Sequence, residues 1–276
     1  MALTFQSRAR LNNGAEMPYL GLGVYQARPG GEAESAIRCA LEEGYRLIDT
    51  AKLYGNEADV GKAVRESGVP RDEVFVTTKL WNSDHGYDET LKACARSLRT
   101  LGLEYVDLYL IHWPVEGHRP ETWKAMEAVY ARGWARAVGV GNYMVHHLEE
   151  LLDGAKVPPA VDQVEMHPFL PQREVRAFCG EHGILTEAYS PLTKGRRLGD
   201  HRVASVARRH GKTPAQVLIR WCLQQGAAAI PKSVRPERIR ENRDVFDFEL
   251  GAEDLRELDS LHGTDLHTGW DPSRSP

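Results

Sequence analysis

The chain has 276 residues, 42% of them hydrophobic and 27% charged, with a formal charge of −4 at pH 7. These values suit one large α/β domain with a sizeable core, and they give no electrostatic case for nucleic acid or an anionic membrane as a partner. No apolar run approaches the ~20 residues of a membrane span, residues 1–10 lack the apolar centre of a signal peptide, and Cys39, Cys94, Cys179 and Cys222 form no CxxC pair, which together point to a cytoplasmic protein without disulfides.

Residues 4–17 read as a small hairpin, with Asn13-Gly14 as a two-residue turn, forming a lid or plug ahead of the main fold. Short apolar runs then alternate with stretches of helical period. The runs span 20–24, 46–49, 74–78, 106–111, 135–140, 161–164, 185–189 and 227–230. Their branched and aromatic content without strict alternation marks strands buried on both faces. Between them, Leu91, Cys94, Leu98 and Leu101 recur at helical spacing before Gly102. Pro120 and Gly133 bracket a helix carrying Trp123, Met126 and Tyr130, and Pro214 opens another. Asn56 followed by Glu57 reads as a cap and first turn. Eight strand–helix units predict an α/β fold, a (β/α)8 TIM barrel over residues 1–276 as a single domain, since no linker or composition shift divides the chain. Helices are expected over 235–245 and 252–261. The tail from 263 to 276, rich in Gly, Pro, Ser and Asp, is expected as a C-terminal loop over the active-site mouth, with a disordered end as the alternative.

Sites in such barrels lie at the C-terminal ends of the strands. The second run ends at Asp49, with Tyr54 beyond it. The third ends in Lys79, then Trp81, and the fourth in His112-Trp113-Pro114. The fifth gives Gly141-Asn142-Tyr143, the sixth Gln163, Glu165 and His167, the seventh Tyr189-Ser190-Pro191, and the eighth Pro231-Lys232-Ser233. Each has a purely structural reading: His112 as a satisfied core histidine, Lys79 as a rim charge, Asp49 with Lys79 as a stabilising pair. An Asp, a Tyr, a Lys and a His from three consecutive strand ends, beside two tryptophans, instead read as polar groups converging in an apolar concavity. A metal-dependent hydrolase is disfavoured, because no HxH or HExxH occurs and the adjacent His146 and His147 point apart on a helix. Gly21-Leu-Gly23 and Gly139-Val-Gly141 both lack the third glycine of a dinucleotide fingerprint. Tyr54-x-x-x-Ala58 lacks the lysine that short-chain dehydrogenases place there.

The stretches Asp49-Thr-Ala-Lys-Leu-Tyr54-Gly-Asn-Glu57, Thr78-Lys79-Leu80-Trp81, Leu110-Ile-His112-Trp-Pro114, Val164-Glu165-Met166-His167-Pro168, Ala188-Tyr189-Ser190-Pro191-Leu192, Ile230-Pro231-Lys232-Ser233 and the run from Arg235 to Asn242 carry a resemblance. Over nearly its whole length the chain resembles the aldo-keto reductases, and is similar to the bacterial, diketogluconate-reductase-like members. The resemblance implies a tetrad of Asp49, Tyr54, Lys79 and His112. Tyr54 would be the proton donor, its pKa pulled down by Lys79, which Asp49 holds in place, and His112 would align the carbonyl. It also implies NADPH bound without a Rossmann fold. Asn142 and Gln163 would hold the carboxamide and Tyr189 would stack on the nicotinamide, with Ser190 and Leu192 also on the cofactor. Lys232, Ser233 and Arg238 would grip the 2′-phosphate, and Glu241 and Asn242 would meet the adenine. Tyr25, Trp81, His112, Trp113 and Trp270 would wall a pocket for small aldehydes, α-dicarbonyls or keto sugars, in a monomer. A nicotinamide-binding sensor with little turnover is the alternative, against which the complete tetrad speaks. Three positions depart from the family pattern: Gly141 replaces the usual Ser, Asp162 stands where Asn is commoner, and Thr193 where Gly often follows Pro-Leu.

Overall fold

In the computed structural model, which describes residues 3–263 and 267–274, the chain opens with an antiparallel hairpin of β1 (Arg8–Arg10) and β2 (Glu16–Pro18). Its turn differs from the expected two-residue form. Leu11 N–H donates to the Ala15 carbonyl (2.8 Å) and Gly14 N–H to the Leu11 carbonyl (2.9 Å), so the loop has three residues, Asn12-Asn13-Gly14. Gly14 adopts a left-handed φ of 88°, which such loops require at their last position. The Asn12 and Asn13 amides donate to the carbonyls of Pro159 and Arg136, each at 2.9 Å. Leu11 and Met17 join an apolar cluster with Leu47, Phe75, Leu108, Ala137 and Val161. The hairpin is therefore a plug across the N-terminal end of the barrel.

The barrel follows as β3 (Leu22–Gly23), α1 (Glu32–Glu42), β4 (Leu47–Asp49), α2 (Glu57–Glu66), β5 (Phe75–Leu80), α3 (Tyr87–Leu101), β6 (Val106–Ile111), α4 (Arg119–Ala131), β7 (Ala135–Gly141), α5 (Val145–Gly154), β8 (Val161–Glu165), α6 (Arg173–Glu181) and β9 (Leu185–Tyr189). It closes with α7 (His201–His210), α8 (Pro214–Gln224), β10 (Ala228–Ala229), α9 (Pro236–Arg243) and α10 (Ala252–Asp259). The strands from β3 to β10 pair in parallel in chain order. The eight expected runs all appear. The two that fall short, β3 and β10, meet at the seam. There, Leu20 bridges Ala229 and Gly23 bridges Lys232 in parallel, with Gly21 N–H on the Ala229 carbonyl (2.9 Å) and Ala229 N–H on the Tyr19 carbonyl (2.8 Å). Pro231 accepts from Gly23 N–H (3.2 Å) but has no N–H to return, which limits the ladder. The helix α7 has no counterpart among the expected elements. Asp200 caps it by accepting from Arg202 N–H (2.9 Å), and Val203, Val206 and Ala207 form its buried stripe.

The cysteines lie on four different helices, α1, α3, α6 and α8, as free thiols. Among the described residues, no helix is long and apolar enough to cross a membrane. Of the expected tail loop, residues 264–266 and 275–276 lie outside the described residues; the remainder reaches the C-terminal mouth of the barrel.

Met17 is fully buried beneath the strands, whereas Arg10 on the same hairpin is exposed. Met17→Ala is expected to lower the unfolding free energy by about 3 kcal/mol, as large-to-small core changes do, and Arg10→Ala to leave it unchanged. Chemical denaturation of both variants checks this. Equal stability of Met17→Ala and the parent would show that the hairpin only rests on the barrel.

Candidate active site

At the end of β4 the chain turns polar and folds back on itself. Thr50 Oγ1 donates to Asn56 Oδ1 (2.7 Å), and Asn56 Nδ2 donates to the carbonyls of Val24 (3.0 Å) and Ala27 (3.1 Å). The expected capping role of Asn56 is thus not what its side chain does. It makes no cap bond to α2, because its donors and acceptor are already taken by the loops on either side. Glu57 Oε1 accepts from Thr78 Oγ1 (2.7 Å), which locks the start of α2 to β5. A short 3-10 turn over Lys52–Tyr54 carries the phenol to the barrel mouth.

Beneath it lies the ion pair. Lys79 Nζ is 2.7 Å from both Oδ1 and Oδ2 of Asp49 and also donates to the Thr50 carbonyl (2.9 Å) and to Tyr54 Oη (3.3 Å). Gln163 Nε2 adds a hydrogen bond to Asp49 Oδ2 (2.8 Å). The Tyr54 ring sits edge-on to His112 (centroids 5.8 Å apart), and Trp81 flanks the other side of the imidazole (5.2 Å). The expected lowering of the Tyr54 pKa does not follow. Burial, and then the charge of Asp49, hold the phenol well above its usual range. The physical reason is that Lys79 spends its charge on a carboxylate at 2.7 Å and only then reaches the phenol, so the pair presents little net positive field. Burial and the Lys79 ammonium push His112 well below the usual imidazole range, so it is neutral.

Tyr54 and His112 line one end of a cleft of about 710 Å³ at the C-terminal mouth, with Lys79 behind them. Tyr25, Trp81 and Trp113 wall this end, and Gly269 and Trp270 of the tail reach over it. Trp270 packs edge-on to Trp113 (5.8 Å) yet stays 71% exposed. The tail is fastened by Thr268, whose N–H donates to Glu165 Oε1 (2.8 Å) and whose carbonyl accepts from Lys194 Nζ (3.0 Å). The cleft continues past Asn142, Gln163, Tyr189, Ser190 and Leu192 to Lys232, Ser233, Arg238, Glu241 and Asn242. Asn142 is held in a left-handed conformation (φ 62°), with Nδ2 on the His112 carbonyl (2.9 Å) and Oδ1 taking the Tyr189 hydroxyl (2.8 Å). Glu241 accepts from Thr213 Oγ1 (2.6 Å). Lys232, Arg235 and Arg238 form no ion pair among the described residues.

The residues assigned to the tetrad, the cofactor and the substrate pocket therefore line the cleft, with Lys79 behind it, whereas Tyr143, Glu165 and His167, also noted at strand ends, do not line it. Gly141, Asp162 and Thr193, which depart from the family pattern, do not line it either. A Cβ on Gly141 would stand 3.1 Å from the His112 carbonyl oxygen and 3.2 Å from that of Ile111, so a larger residue would press on the end of β6. Asp162 is fully buried, and neither oxygen has a partner among the described residues. It neighbours Gln163 on a strand, where successive side chains face opposite ways, and it does not line the cleft. Burial holds its carboxyl well above the usual range. Thr193 takes a left-handed φ of 52° and accepts at Oγ1 from Arg197 N–H (3.1 Å), a strained conformation for a branched residue. Lining residues that sequence reasoning missed include Gln26, Lys194 and Thr213, and Arg235 entered it only as the first residue of the run to Asn242. Gln26 and Lys194 lie in loops without a local signal. Thr213 and Arg235 stand immediately before Pro214 and Pro236, where helix starts place them beside a strand end.

Residues 20–262 match the model of the Aldo/keto reductase family. The chain is 48% identical over 262 residues to a glyoxal reductase of Bacillus subtilis, covering 95% of both proteins. It is 47% identical to a morphine 6-dehydrogenase of Pseudomonas putida, covering 95% of this chain and 93% of that one. A crystal structure of a Gox0644 mutant in complex with NADPH superposes with a TM-score of 0.92 at 43% identity, covering 98% of this chain and 99% of the other.

Removing one partner of the buried pair strands the other. Asp49→Ala is expected to destabilise the protein by about 3–5 kcal/mol, the cost of an uncompensated buried charge. Combining Asp49→Leu with Lys79→Met should recover most of that loss. Thermal and chemical denaturation read both; a double variant as unstable as Asp49→Ala would mean that shape, not charge, sets the cost.

Proposed function

Since the chain belongs to the aldo/keto reductase family and is an oxidoreductase, we propose that it reduces small aldehydes, α-dicarbonyls and keto sugars with NADPH, using Tyr54 as the proton donor. The observation that carries this reading is the Tyr54 phenol standing beside the Asp49–Lys79 pair and His112 at the aromatic end of a cleft. The far end of that cleft offers Lys232, Arg235 and Arg238. Three cations that form no ion pair among the described residues suit a phosphorylated ribose, where charge-assisted bonds favour a dianion. The residues therefore fit NADPH. Lys232, Ser233 and Arg238 would hold its 2′-phosphate, Glu241 and Asn242 its adenine, Tyr189 with Ser190 and Leu192 its nicotinamide half, and Asn142 and Gln163 the carboxamide. The glyoxal reductase among the relatives supports α-dicarbonyls as one substrate class.

When bound, NADPH supplies the hydride. The rest is the work of the protein. A carbonyl oxygen between Tyr54 and His112 gains negative charge as hydride reaches its carbon. The Tyr54 O–H, kept protonated by burial and by the Asp49 charge, delivers the proton. Lys79, 3.3 Å from the phenol oxygen, stabilises the phenolate left behind, and Asp49 keeps Lys79 charged. His112 is neutral, and in the tautomer with the hydrogen on Nε2 it would donate to the carbonyl. Such prepositioned donors are worth most where water is excluded, and the indole rings of Trp81 and Trp113 wall this end of the cleft.

Tyr54→Phe is expected to lower kcat for an aldehyde by at least about 10²-fold, the usual loss of a positioned general acid, with NADPH binding unchanged. Near-normal turnover in that variant would sink the assignment. Arg238→Ala is expected to weaken NADPH by about tenfold, one charge-assisted bond, with little effect on NADH. Equal losses for the two nucleotides would refute the phosphate role. Steady-state oxidation of NADPH and NADH with a panel of small aldehydes measures both.

A further inference from the structure

Glu187 lies on β9, two residues before Tyr189, and its backbone is in register with that of Gln163 on β8. It is fully buried inside the barrel. Its Oε2 accepts from Gln163 Nε2 (2.7 Å), the same nitrogen that donates to Asp49 Oδ2 (2.8 Å). An amide nitrogen has two hydrogens, and both are spent on carboxyl groups below the cleft. The side-chain oxygen of Gln163, Oε1, receives no hydrogen bond among the described residues, while the side chain lines the cleft. Turning the amide over would set that oxygen against the Asp49 carboxylate. Asp49 holds one hydrogen of the amide, and Glu187 takes the second and braces the amide in the same orientation.

We propose that Glu187 is a positioning residue for the cofactor: it fixes Gln163 with its carbonyl oxygen towards the cleft, so that this side accepts an N–H and selects the NH2 end of the nicotinamide carboxamide. This rests on the NADPH reading above. The charge balance around Glu187 agrees with it. The ionisable groups that face it are Asp49 from β4, Lys79 from β5 and Tyr54 from the turn after β4. One ammonium serves two carboxyl groups. Burial, then the Asp49 charge, raises Glu187 to about 8. Glu187 is thus the protonated member at neutral pH and holds Gln163 through a neutral acceptor oxygen, which leaves the Asp49–Lys79 pair balanced. Glutamine at this position would keep a neutral acceptor of the same length; methionine would not.

Calorimetry on the full chain tests this with three ligands. These are NADP+, its 3-acetylpyridine analogue (a methyl ketone in place of the carboxamide), and 2′-phospho-ADP-ribose, which lacks the nicotinamide. The parent should bind the acetylpyridine analogue about 5- to 10-fold more weakly than NADP+, the range of one lost hydrogen bond. Glu187→Met should weaken NADP+ by a similar factor, erase the gap between the two dinucleotides, and leave 2′-phospho-ADP-ribose within about twofold of the parent, since no bond to it is touched. Glu187→Gln should match the parent throughout. The proposal is overturned if the parent binds both dinucleotides equally, if Glu187→Met weakens all three ligands alike, or if Glu187→Gln fails as Glu187→Met does. A parent that binds neither NADP+ nor 2′-phospho-ADP-ribose overturns the NADPH reading itself.

Discussion

Lys79 brings its ammonium to a place only 1% exposed, where removing an ion from water costs several kcal/mol. The surrounding fold is arranged to offset that cost. Asp49 meets the charge with both oxygens, the Thr50 carbonyl accepts a further N–H, and Gln163 satisfies Asp49 in turn. The loop that delivers these atoms is itself tied down, by Thr50 on Asn56, by Asn56 on the carbonyls of Val24 and Ala27, and by Thr78 on Glu57. Three strand ends and a helix start thus depend on one charge. The consequence for Tyr54 is indirect. A phenol beside a free lysine would ionise easily, whereas beside a neutralised one it keeps its proton.

The parallel sheet was the most legible part of the chain, because strands covered on both faces read as unbroken apolar runs and their polar ends stand out. Lys79, His112, Asn142 and the Lys232 segment were visible as the first polar residues past such runs, Asp49 as the polar end of one, Tyr54 on the loop beyond it and Gln163 inside another. What escaped has physical reasons. The seam strands shrank because their pairing joins residues about two hundred positions apart, beyond any local pattern, and because Pro231 cannot donate. α7 has a buried stripe of only Val203, Val206 and Ala207 among arginines and histidines, too thin to stand out as periodicity. Asn56 looked like a cap since it precedes a helix, but its partners lie more than two dozen residues upstream in Val24 and Ala27. Glu187 hid inside an apolar run and passed for strand filler. The mark it left was parity: it shares a strand face with Tyr189.

Backbone strain gathers at the same mouth. Of the six residues other than glycine with positive φ, Gln26, Asn142, Ser190 and Lys194 line the cleft, and Thr193 sits between two of its lining residues. Each such conformation costs on the order of 1–3 kcal/mol and persists only where surroundings over-determine it. Asn142 shows what holds it. Its N–H goes to the Gln163 carbonyl, its Nδ2 to the His112 carbonyl, and its Oδ1 takes the Tyr189 hydroxyl. One residue thereby links the ends of β6, β8 and β9.

Gln163 does the same for β4 and β9 through Asp49 and Glu187. Backbone ladders stop where strands splay, and at that level side chains take over the lateral bonding. This explains why the mouth is polar although the barrel below it is apolar: carbonyls and amides leaving the ladder must find partners, and water cannot reach most of them. The same requirement makes the site stiff. A side chain that satisfies a neighbouring strand cannot also drift, so Asn142, Gln163 and Tyr189 hold their positions before anything enters the cleft. Preorganised donors of this kind stabilise developing charge without reorganising at the moment of reaction. In this fold the lacing that keeps the barrel closed and the positioning that carbonyl reduction requires are made by the same hydrogen bonds.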